Sequence, residues 1–194
     1  MQICVFCSSS GALAQSYYDA ARQFGAKLAN LGHSLVYGGA DVGLMGEVAH
    51  AVTQGGGYVI GVMPEILKDK RISYTAADEM VITSDMRERK AEMVARADAF
   101  VALPGGFGTL EELLEVLTLR QLQEHTKPIV LLNTLDFYTP LINVFENFYR
   151  EYFALPIREF YYVAPSVDAI FTYLHRYQPF IAPDKLVRSE RKDD

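Results

Sequence analysis

The feature of this chain that most constrains its fold is a regular alternation of short apolar segments with longer amphipathic segments. The short segments have the length of strands and are apolar throughout, rather than at every second residue. Strands of this kind are buried on both faces, as in parallel sheets that helices cover. The sequence therefore predicts an α/β fold, with a doubly wound parallel sheet flanked by helices on both faces.

This pattern also places the elements along the chain. Two aromatic-rich helices are expected near residues 141–153 and 167–177, and Asp85 is expected to cap the helix before the fifth strand. With 194 residues, the chain has the size of one domain. We expect that domain over residues 1–182 and a charged tail over residues 183–194. The expected strands are residues 3–7, 34–37, 58–63, 81–83, 99–103 and 129–132.

The composition excludes several classes of protein. Half of the residues are hydrophobic and 22% are charged, as in globular proteins. The 18 Lys and Arg residues against 24 Asp and Glu residues give a net charge of −6. The basic field typical of nucleic-acid-binding proteins is therefore absent. The longest apolar runs have only strand length and no signal-like segment opens the chain, so we expect a cytoplasmic protein without a membrane partner.

The cysteines and histidines give little indication of metal or redox chemistry. Cys4 and Cys7 form a Cys-x-x-Cys pattern, but it lies in an expected buried strand rather than at a helix start. Two cysteines without nearby histidines do not complete a zinc site. We interpret both cysteines as core residues and the four histidines as surface or capping residues, and we expect no metal site.

Three loops rich in glycine or serine follow expected strands, at residues 8–11, 38–46 and 104–109. Ligands of open parallel sheets bind beyond the carboxyl ends of the strands, where loops of this kind lead into helices. The free N–H groups and positive end of such a helix attract an anion, for example a phosphate. The third loop, PGGFGT, is the strongest candidate, since a ligand-free tight turn does not need so many glycines. Its Thr109 can cap the helix or donate to a phosphate.

These loops do not match two common nucleotide motifs. Neither glycine-rich loop has the G-x-G-x-x-G spacing of the dinucleotide fingerprint, which disfavours a nicotinamide-dependent oxidoreductase. No Gly-Lys-Ser or Gly-Lys-Thr follows either loop, so hydrolysis at a γ-phosphate is disfavoured as well.

Acidic residues open the helix that follows the third loop. Glu111, Glu112 and Glu115 complement the positive helix end, an explanation that requires no further function. Helical spacing also puts Glu112 on one face with Gly108 and Thr109, and Glu115 extends that face. The opposite, core side is expected to carry Leu110, Leu113, Leu114 and Leu117.

A carboxylate beside a phosphate is repelled unless a cation compensates its charge. Arg87, Arg89 and Lys90 on the preceding helix are the candidates for that cation. The alternative is that these three residues form a solvated basic face without a role in binding.

Taken together, these residues resemble the LONELY GUY family of cytokinin-activating nucleotide hydrolases, long described as possible lysine decarboxylases. The main motifs are PGGFGTLEE at residues 104–112 and the Arg89-Lys90 pair within MRERK at residues 86–90. Further matches are CVFCSS from residue 4, YGG from residue 37, VGLMG from residue 42, and a Lys-Pro pair ahead of LLN. The resemblance runs from residue 3 to near residue 150.

The resemblance implies a Rossmann-like homodimer that hydrolyses the N-glycosidic bond of a nucleoside 5′-monophosphate to a free base and ribose 5-phosphate. The implied substrates are N6-prenylated AMP and AMP, and no metal or organic cofactor is implied. Arg89 and Glu112 would be the catalytic pair. The implied substrate-binding residues are Ser8, Gly39, Gly43, Met86, Lys90, Gly105, Gly106, Phe107, Gly108, Thr109, Leu110, Glu111 and Thr118.

The residues suit that chemistry. Breaking the ribosyl C–N bond builds oxocarbenium character on the sugar, and a carboxylate can stabilise it or activate the attacking water. Glu112 would serve in this way, with Arg89 orienting it and keeping it ionised. The glycine loop would anchor the 5′-phosphate, and that remote binding energy would position the sugar.

Two further functions are compared with this one. A decarboxylase needs a lysine for pyridoxal phosphate, and only Lys90 lies near the expected site, with nothing to mark it as a Schiff-base residue. A non-catalytic nucleotide-binding module is the second, and it gains little from a carboxylate beside a phosphate loop.

Overall fold

The computed structural model describes residues 1–68 and 72–181. Within them, one sheet of seven parallel strands has the order β4-β3-β2-β1-β5-β6-β7. The strands are β1 (Gln2–Phe6), β2 (Ser34–Tyr37), β3 (Val59–Pro64), β4 (Glu79–Thr83), β5 (Ala99–Ala102), β6 (Ile129–Leu132) and β7 (Tyr162–Ala164). The helices are α1 (Gln15–Asn30), α2 (Gly43–Gln54), α3 (Glu65–Lys68), α4 (Met86–Arg96), α5 (Phe107–Gln121), α6 (Thr139–Arg150) and α7 (Val167–Arg176).

The predicted fold class is confirmed, and all six predicted strands are present with small shifts at their ends. β7 was not predicted. It has three residues, lies at an edge of the sheet, and is only partly buried, so it lacks the apolar run that marks the inner strands. The tail predicted over residues 183–194 lies outside the described residues.

Two hydrophobic cores cover the two faces of the sheet, because successive residues of a strand point to opposite sides. Ile3 and Val5 of β1 pack in the core formed with α1, α2 and α7. Cys4 and Phe6 pack in the core formed with α4, α5 and α6. Both faces are therefore covered, as expected for strands that are apolar throughout. No helix in the described part of the chain is both long and apolar enough to cross a membrane.

The direction of strand addition reverses between β1 and β5. Strands β2, β3 and β4 follow on one side of β1, whereas β5, β6 and β7 follow on the other. In open α/β sheets a crevice forms at such a reversal, outside the carboxyl ends of the strands. The loops after β1 and β5 are therefore the natural borders of a ligand site.

The two helices that carry the predicted site differ in how they begin. Asp85 caps α4 as predicted, since its carboxylate accepts hydrogen bonds from the N–H groups of Arg87 and Glu88, each at 2.8 Å. Gly106 is the N-cap of α5, so Thr109 lies inside the first turn and is not the cap. The prediction that Leu114 faces the core is wrong, because its side chain is on the outer face and 43% exposed.

Candidate active site

A cavity of about 550 Å³ opens at the reversal point, in the size range of small-molecule sites. The three predicted loops meet there. The Ser8 N–H donates to the Pro104 carbonyl at 3.2 Å, and the Leu44 N–H donates to the Ser8 carbonyl at 2.9 Å. Ser8 thus joins the loop after β1 to the glycine loop on one side and to the start of α2 on the other.

Arg89 and Glu112 form a buried ion pair in this cavity. The Arg89 Nη1 donates to Glu112 Oε1 at 2.7 Å, and their side chains are only 9% and 12% exposed. Arg89 Nε donates to the carbonyl of Val62 in β3, at 3.0 Å. The guanidinium is therefore fixed by one backbone and one carboxylate contact, and it holds Glu112 in turn.

Gly38 leaves the space that the guanidinium occupies. A Cβ at this position would lie 2.3 Å from Arg89 Nη2 and 3.1 Å from the Met45 sulfur. Any side chain here would displace Arg89, so the glycine at the end of β2 is required by close approach.

Burial raises the pKa of Glu112 above its ordinary value, and the Arg89 guanidinium offsets this only in part. Desolvation is therefore the larger of the two effects on this pKa. A carboxylate that loses its hydration gains basicity, which suits a group that accepts a proton from water or faces a developing positive charge.

The N-terminus of α5 faces the same cavity. Its N-cap, Gly106, has no side chain and makes no capping hydrogen bond. The N–H groups of residues 107–109 are therefore available for an anion. Gly105 packs closely under this turn, since a Cβ there would lie 2.1 Å from Thr109 Oγ1.

Lys90 connects α4 to α5 beside the buried pair. Its ammonium forms ion pairs with Glu111 and, at 2.7 Å, with Glu115. Hydrogen bonds to Glu111 and then to Glu115 raise the pKa of Lys90. An amine held in its charged form is a poor nucleophile, which argues against the decarboxylase interpretation.

Seven of the predicted substrate-binding residues line the cavity together with Arg89 and Glu112. These seven are Ser8, Met86, Gly106, Phe107, Gly108, Thr109 and Glu111. The side chain of Phe107 stands at the mouth and is 94% exposed.

The other six predicted substrate-binding residues, Lys90 and Gly105 among them, do not line the cavity. Gly39 lies in the loop after β2 and Gly43 is the first residue of α2. Both have positive φ, and Gly43 packs on the backbone of residues 8–10. Leu110 packs against the core between α5 and the sheet. Thr118 lies in a second groove, between α5 and α6.

Sequence reasoning missed two groups of residues. Apolar side chains form the part of the cavity wall near β2 and β3, namely Met45, Met63, Leu67 and Ile72. Met63 stands near the end of an expected strand, a position that could have marked it. The second group is the pair of His50 Nε2 with Asp41 Oδ1 at 2.6 Å, where the sequence interpretation gave His50 only as a surface or capping residue. Among the described residues, no cluster of three or more His, Cys, Asp or Glu side chains is arranged to hold a metal.

Fold and cavity together define a Rossmann-like α/β protein with a ligand site at the carboxyl ends of its strands. Solved structures share this fold. The molybdenum cofactor binding protein from Rippkaea orientalis is 23% identical, with a TM-score of 0.69 over 90% of this chain and 94% of that one. The Moco carrier protein from Chlamydomonas reinhardtii is 24% identical, with a TM-score of 0.69 and the same coverage. At these identities the likeness concerns the fold alone.

The sequence comparisons identify the family. The profile of the family described as "Possible lysine decarboxylase" matches residues 45–174. Cytokinin riboside 5′-monophosphate phosphoribohydrolase LOG7 from Arabidopsis thaliana is 45% identical over 92% of this chain and 82% of its own length. The enzyme named LOG from Oryza sativa subsp. japonica is 46% identical over 92% of this chain and 74% of its own length. The chain therefore belongs to the LONELY GUY family of cytokinin riboside 5′-monophosphate phosphoribohydrolases.

Proposed function

We propose that the protein hydrolyses the N-glycosidic bond of a nucleoside 5′-monophosphate, either N6-prenylated AMP or AMP, to the free base and ribose 5-phosphate. The observation that carries the proposal is the buried Arg89–Glu112 pair in the same cavity as the uncapped N-terminus of α5. The helix N-terminus suits a phosphate, and the carboxylate of the buried pair suits the sugar carbon that loses its base.

The helix geometry relates the two. Glu112 follows the first residue of α5 by five positions, which at 1.5 Å per residue places it about 7.5 Å further along the axis. A phosphate on the N–H groups of residues 107–109 would leave the ribose between the helix end and Glu112. The carboxylate would then stabilise the oxocarbenium character at the anomeric carbon or take a proton from the attacking water.

Arg89 serves this step indirectly. Through its contacts with Val62 and Glu112 it fixes the carboxylate and limits the rise of its pKa. Thr109 and Ser8 line the cavity near the helix end and are the side chains we assign to phosphate binding. The remaining predicted substrate-binding residues, Thr118 among them, stay predictions.

The test is chromatography of purified protein incubated with AMP and with isopentenyladenosine monophosphate, each beside its dephosphorylated nucleoside. Release of base from the monophosphates and not from the nucleosides is the expected result. The ratio of the two rates gives the preferred base. No release from either monophosphate, with nucleotide still bound, would indicate the alternative of a non-catalytic nucleotide-binding module.

We also propose that the protein is a homodimer. The groove between α5 and α6 has a volume of about 210 Å³ and is lined by apolar side chains. Leu114 is 43% and Phe153 78% exposed, so the described residues of one copy leave apolar surface uncovered here. Light scattering should give twice the chain mass for the wild type and less for Phe153→Glu, and a monomeric wild type would refute the dimer.

We place the protein in the cytoplasm. Cys4 and Cys7 are both free and buried, and unpaired thiols are usual in reducing compartments. Nucleoside monophosphates, the proposed substrates, are metabolites of that compartment. Fractionation of cells that express the tagged chain would test this assignment.

A further inference from the structure

A short segment at residues 72–74 pairs with the loop after β2 and forms part of the cavity wall. Ala40 and Ser73 make an antiparallel bridge. The Asp41 N–H donates to the Ile72 carbonyl at 2.6 Å, and the Tyr74 N–H donates to the Gly39 carbonyl at 2.9 Å. We call residues 72–74 the wall segment, because its Ile72 lines the cavity.

Side chains of α2 hold this wall segment from the other side. His50 Nε2 contacts Asp41 Oδ1 at 2.6 Å, and the His50 ring stacks on the Tyr74 ring with 5.0 Å between centroids. The Tyr74 hydroxyl donates to Thr53 Oγ1 at 3.0 Å. His50 and Thr53 are three residues apart and share one helix face. A rigid helix thus fixes both strands of the small bridge.

The strand order sets the wall segment far from the phosphate end of the cavity. From β5, whose loop leads into α5, the neighbours are β1, β2 and then β3. Three strand spacings amount to about 14 Å. Ser73 Oγ donates to the sulfur of Met63, at the end of β3, at 3.0 Å. A nucleotide with its phosphate on α5 would therefore place its base toward Met63 and Ile72.

We propose that His50 and Tyr74 are positioning residues that set base specificity, by holding Ile72 against the base and its N6 substituent. This inference rests on the proposed function. Neither side chain lines the cavity, so both act through the wall segment. A fixed apolar side chain gains contact with an apolar N6 substituent, whereas plain adenine offers less surface there. Loosening the wall segment therefore weakens binding of the prenylated substrate more than binding of AMP.

The kinetic test compares His50→Ala with Gln54→Ala, an exposed position at the end of the same helix. For His50→Ala we expect KM for isopentenyladenosine monophosphate to rise about tenfold, the scale of one lost apolar contact, with KM for AMP changed less than about twofold and kcat unchanged. Gln54→Ala should match the wild type. His50→Gln, whose amide can still donate to Asp41, should restore most of the difference.

Equal rises in KM for both substrates, or no change for either, would overturn the specificity role. A second measurement does not depend on turnover. Amide hydrogen exchange at Asp41 and Tyr74, whose N–H groups pair the two segments, should accelerate in His50→Ala and not in Gln54→Ala. Unchanged exchange would overturn the claim that His50 holds the wall segment.

The two proposals fail in different ways. If wild-type protein releases no base from any monophosphate, the proposed hydrolysis is wrong. Calorimetric binding of isopentenyladenosine monophosphate and AMP then replaces KM, and loss of discrimination in His50→Ala still supports the wall segment as the specificity element. Equal affinities in wild type and variant would overturn it.

Discussion

Two neighbouring cations of α4, Arg89 and Lys90, form ion pairs with α5 that differ in burial. Arg89 of α4 meets Glu112 of α5 with side chains 9% and 12% exposed. Lys90, the next residue, meets Glu111 and Glu115, which are 56% and 37% exposed. A step of one residue turns the side chain by about 100° around the helix. One pair therefore faces the cavity floor and the other faces solvent.

The comparison shows what burial adds to an ion pair. Exposed pairs are screened by water and contribute little to folding, so the contacts of Lys90 with Glu111 and Glu115 should add little to stability. A buried pair has a desolvation cost that its attraction barely offsets. That cost leaves Glu112 with a raised pKa, which opposes stability and suits the proposed chemistry.

Breaking the buried pair should have the largest effect. Arg89→Ala leaves the Glu112 carboxylate buried without its cation, which should lower the free energy of unfolding at neutral pH by about 3–5 kcal/mol and abolish base release. Urea denaturation and the chromatographic assay measure the two effects. The double variant Arg89→Met with Glu112→Leu should recover stability without activity. A single variant as stable as the wild type would contradict the account.

The sign of the pH dependence follows from the raised pKa. The folded state holds the Glu112 proton more tightly than the unfolded state, so this carboxyl destabilises the fold as pH rises through its folded pKa. This destabilisation disappears below pH 4.5, the ordinary pKa of a glutamate, because the carboxyl is then protonated in both states. The loss of stability in Arg89→Ala should therefore shrink as pH falls, and a loss that grows on acidification would contradict this.

The pH dependence of catalysis should report the same carboxyl group, that of Glu112. If the ionised carboxylate is needed, the pH profile of kcat/KM should have an acidic limb with a pKa above 4.5. Below that pKa, kcat/KM should fall about tenfold per pH unit. Glu115→Gln should leave that limb in place, because Glu115 belongs to the exposed pair. A limb at or below the ordinary glutamate value would show that burial does not govern the active carboxyl.

Thr109 offers a smaller test at the phosphate end. Thr109→Val keeps the shape of this buried side chain, which is 4% exposed, and removes its hydroxyl. We expect KM for AMP to rise about tenfold, equivalent to 1.4 kcal/mol, with little change in kcat. Thr109→Ser should restore the KM, and an unchanged KM in the valine variant would exclude a phosphate contact.

The smallest effect is expected from the exposed pair. Lys90→Met should lower the free energy of unfolding by less than about 1 kcal/mol, and the difference should shrink in high salt. Because Lys90 is already paired with Glu111 and Glu115, KM for AMP should rise less than in Thr109→Val. A larger rise would show that Lys90 leaves its glutamates to bind the nucleotide.

Much of the fold was predictable because strands buried on both faces leave a continuous apolar pattern. β7 lacks that pattern, since a short edge strand needs burial on fewer sides. The α5 motif predicted which residues meet at the helix end. Helical spacing alone predicted Leu114 as core, but the packing of the described residues leaves its side chain 43% exposed.

The rest depended on contacts between elements. Asp41 and His50 are nine positions apart, and only the turn into α2 brings their side chains together. Ile72 reaches the cavity because the wall segment pairs with the loop after β2. Ala40 and Ser73 form an antiparallel bridge, and the Asp41 N–H donates to the Ile72 carbonyl. No local sequence pattern marks this pairing. The burial that raises the pKa of Glu112 also comes from packing between α4, α5 and the sheet, and is not visible in the order of charges.

The most direct test of the central claim measures kcat for isopentenyladenosine monophosphate in Glu112→Gln and Glu115→Gln. The two changes are the same substitution one turn apart on α5, one in the buried pair and one in the exposed pair. We predict that Glu112→Gln loses about 10²–10⁴ of the rate while remaining folded, because the amide oxygen of the new side chain can still accept the hydrogen bond from Arg89, and that Glu115→Gln stays near the wild type. Equal losses in both variants, or an active Glu112→Gln, would contradict the assignment of catalysis to the buried pair.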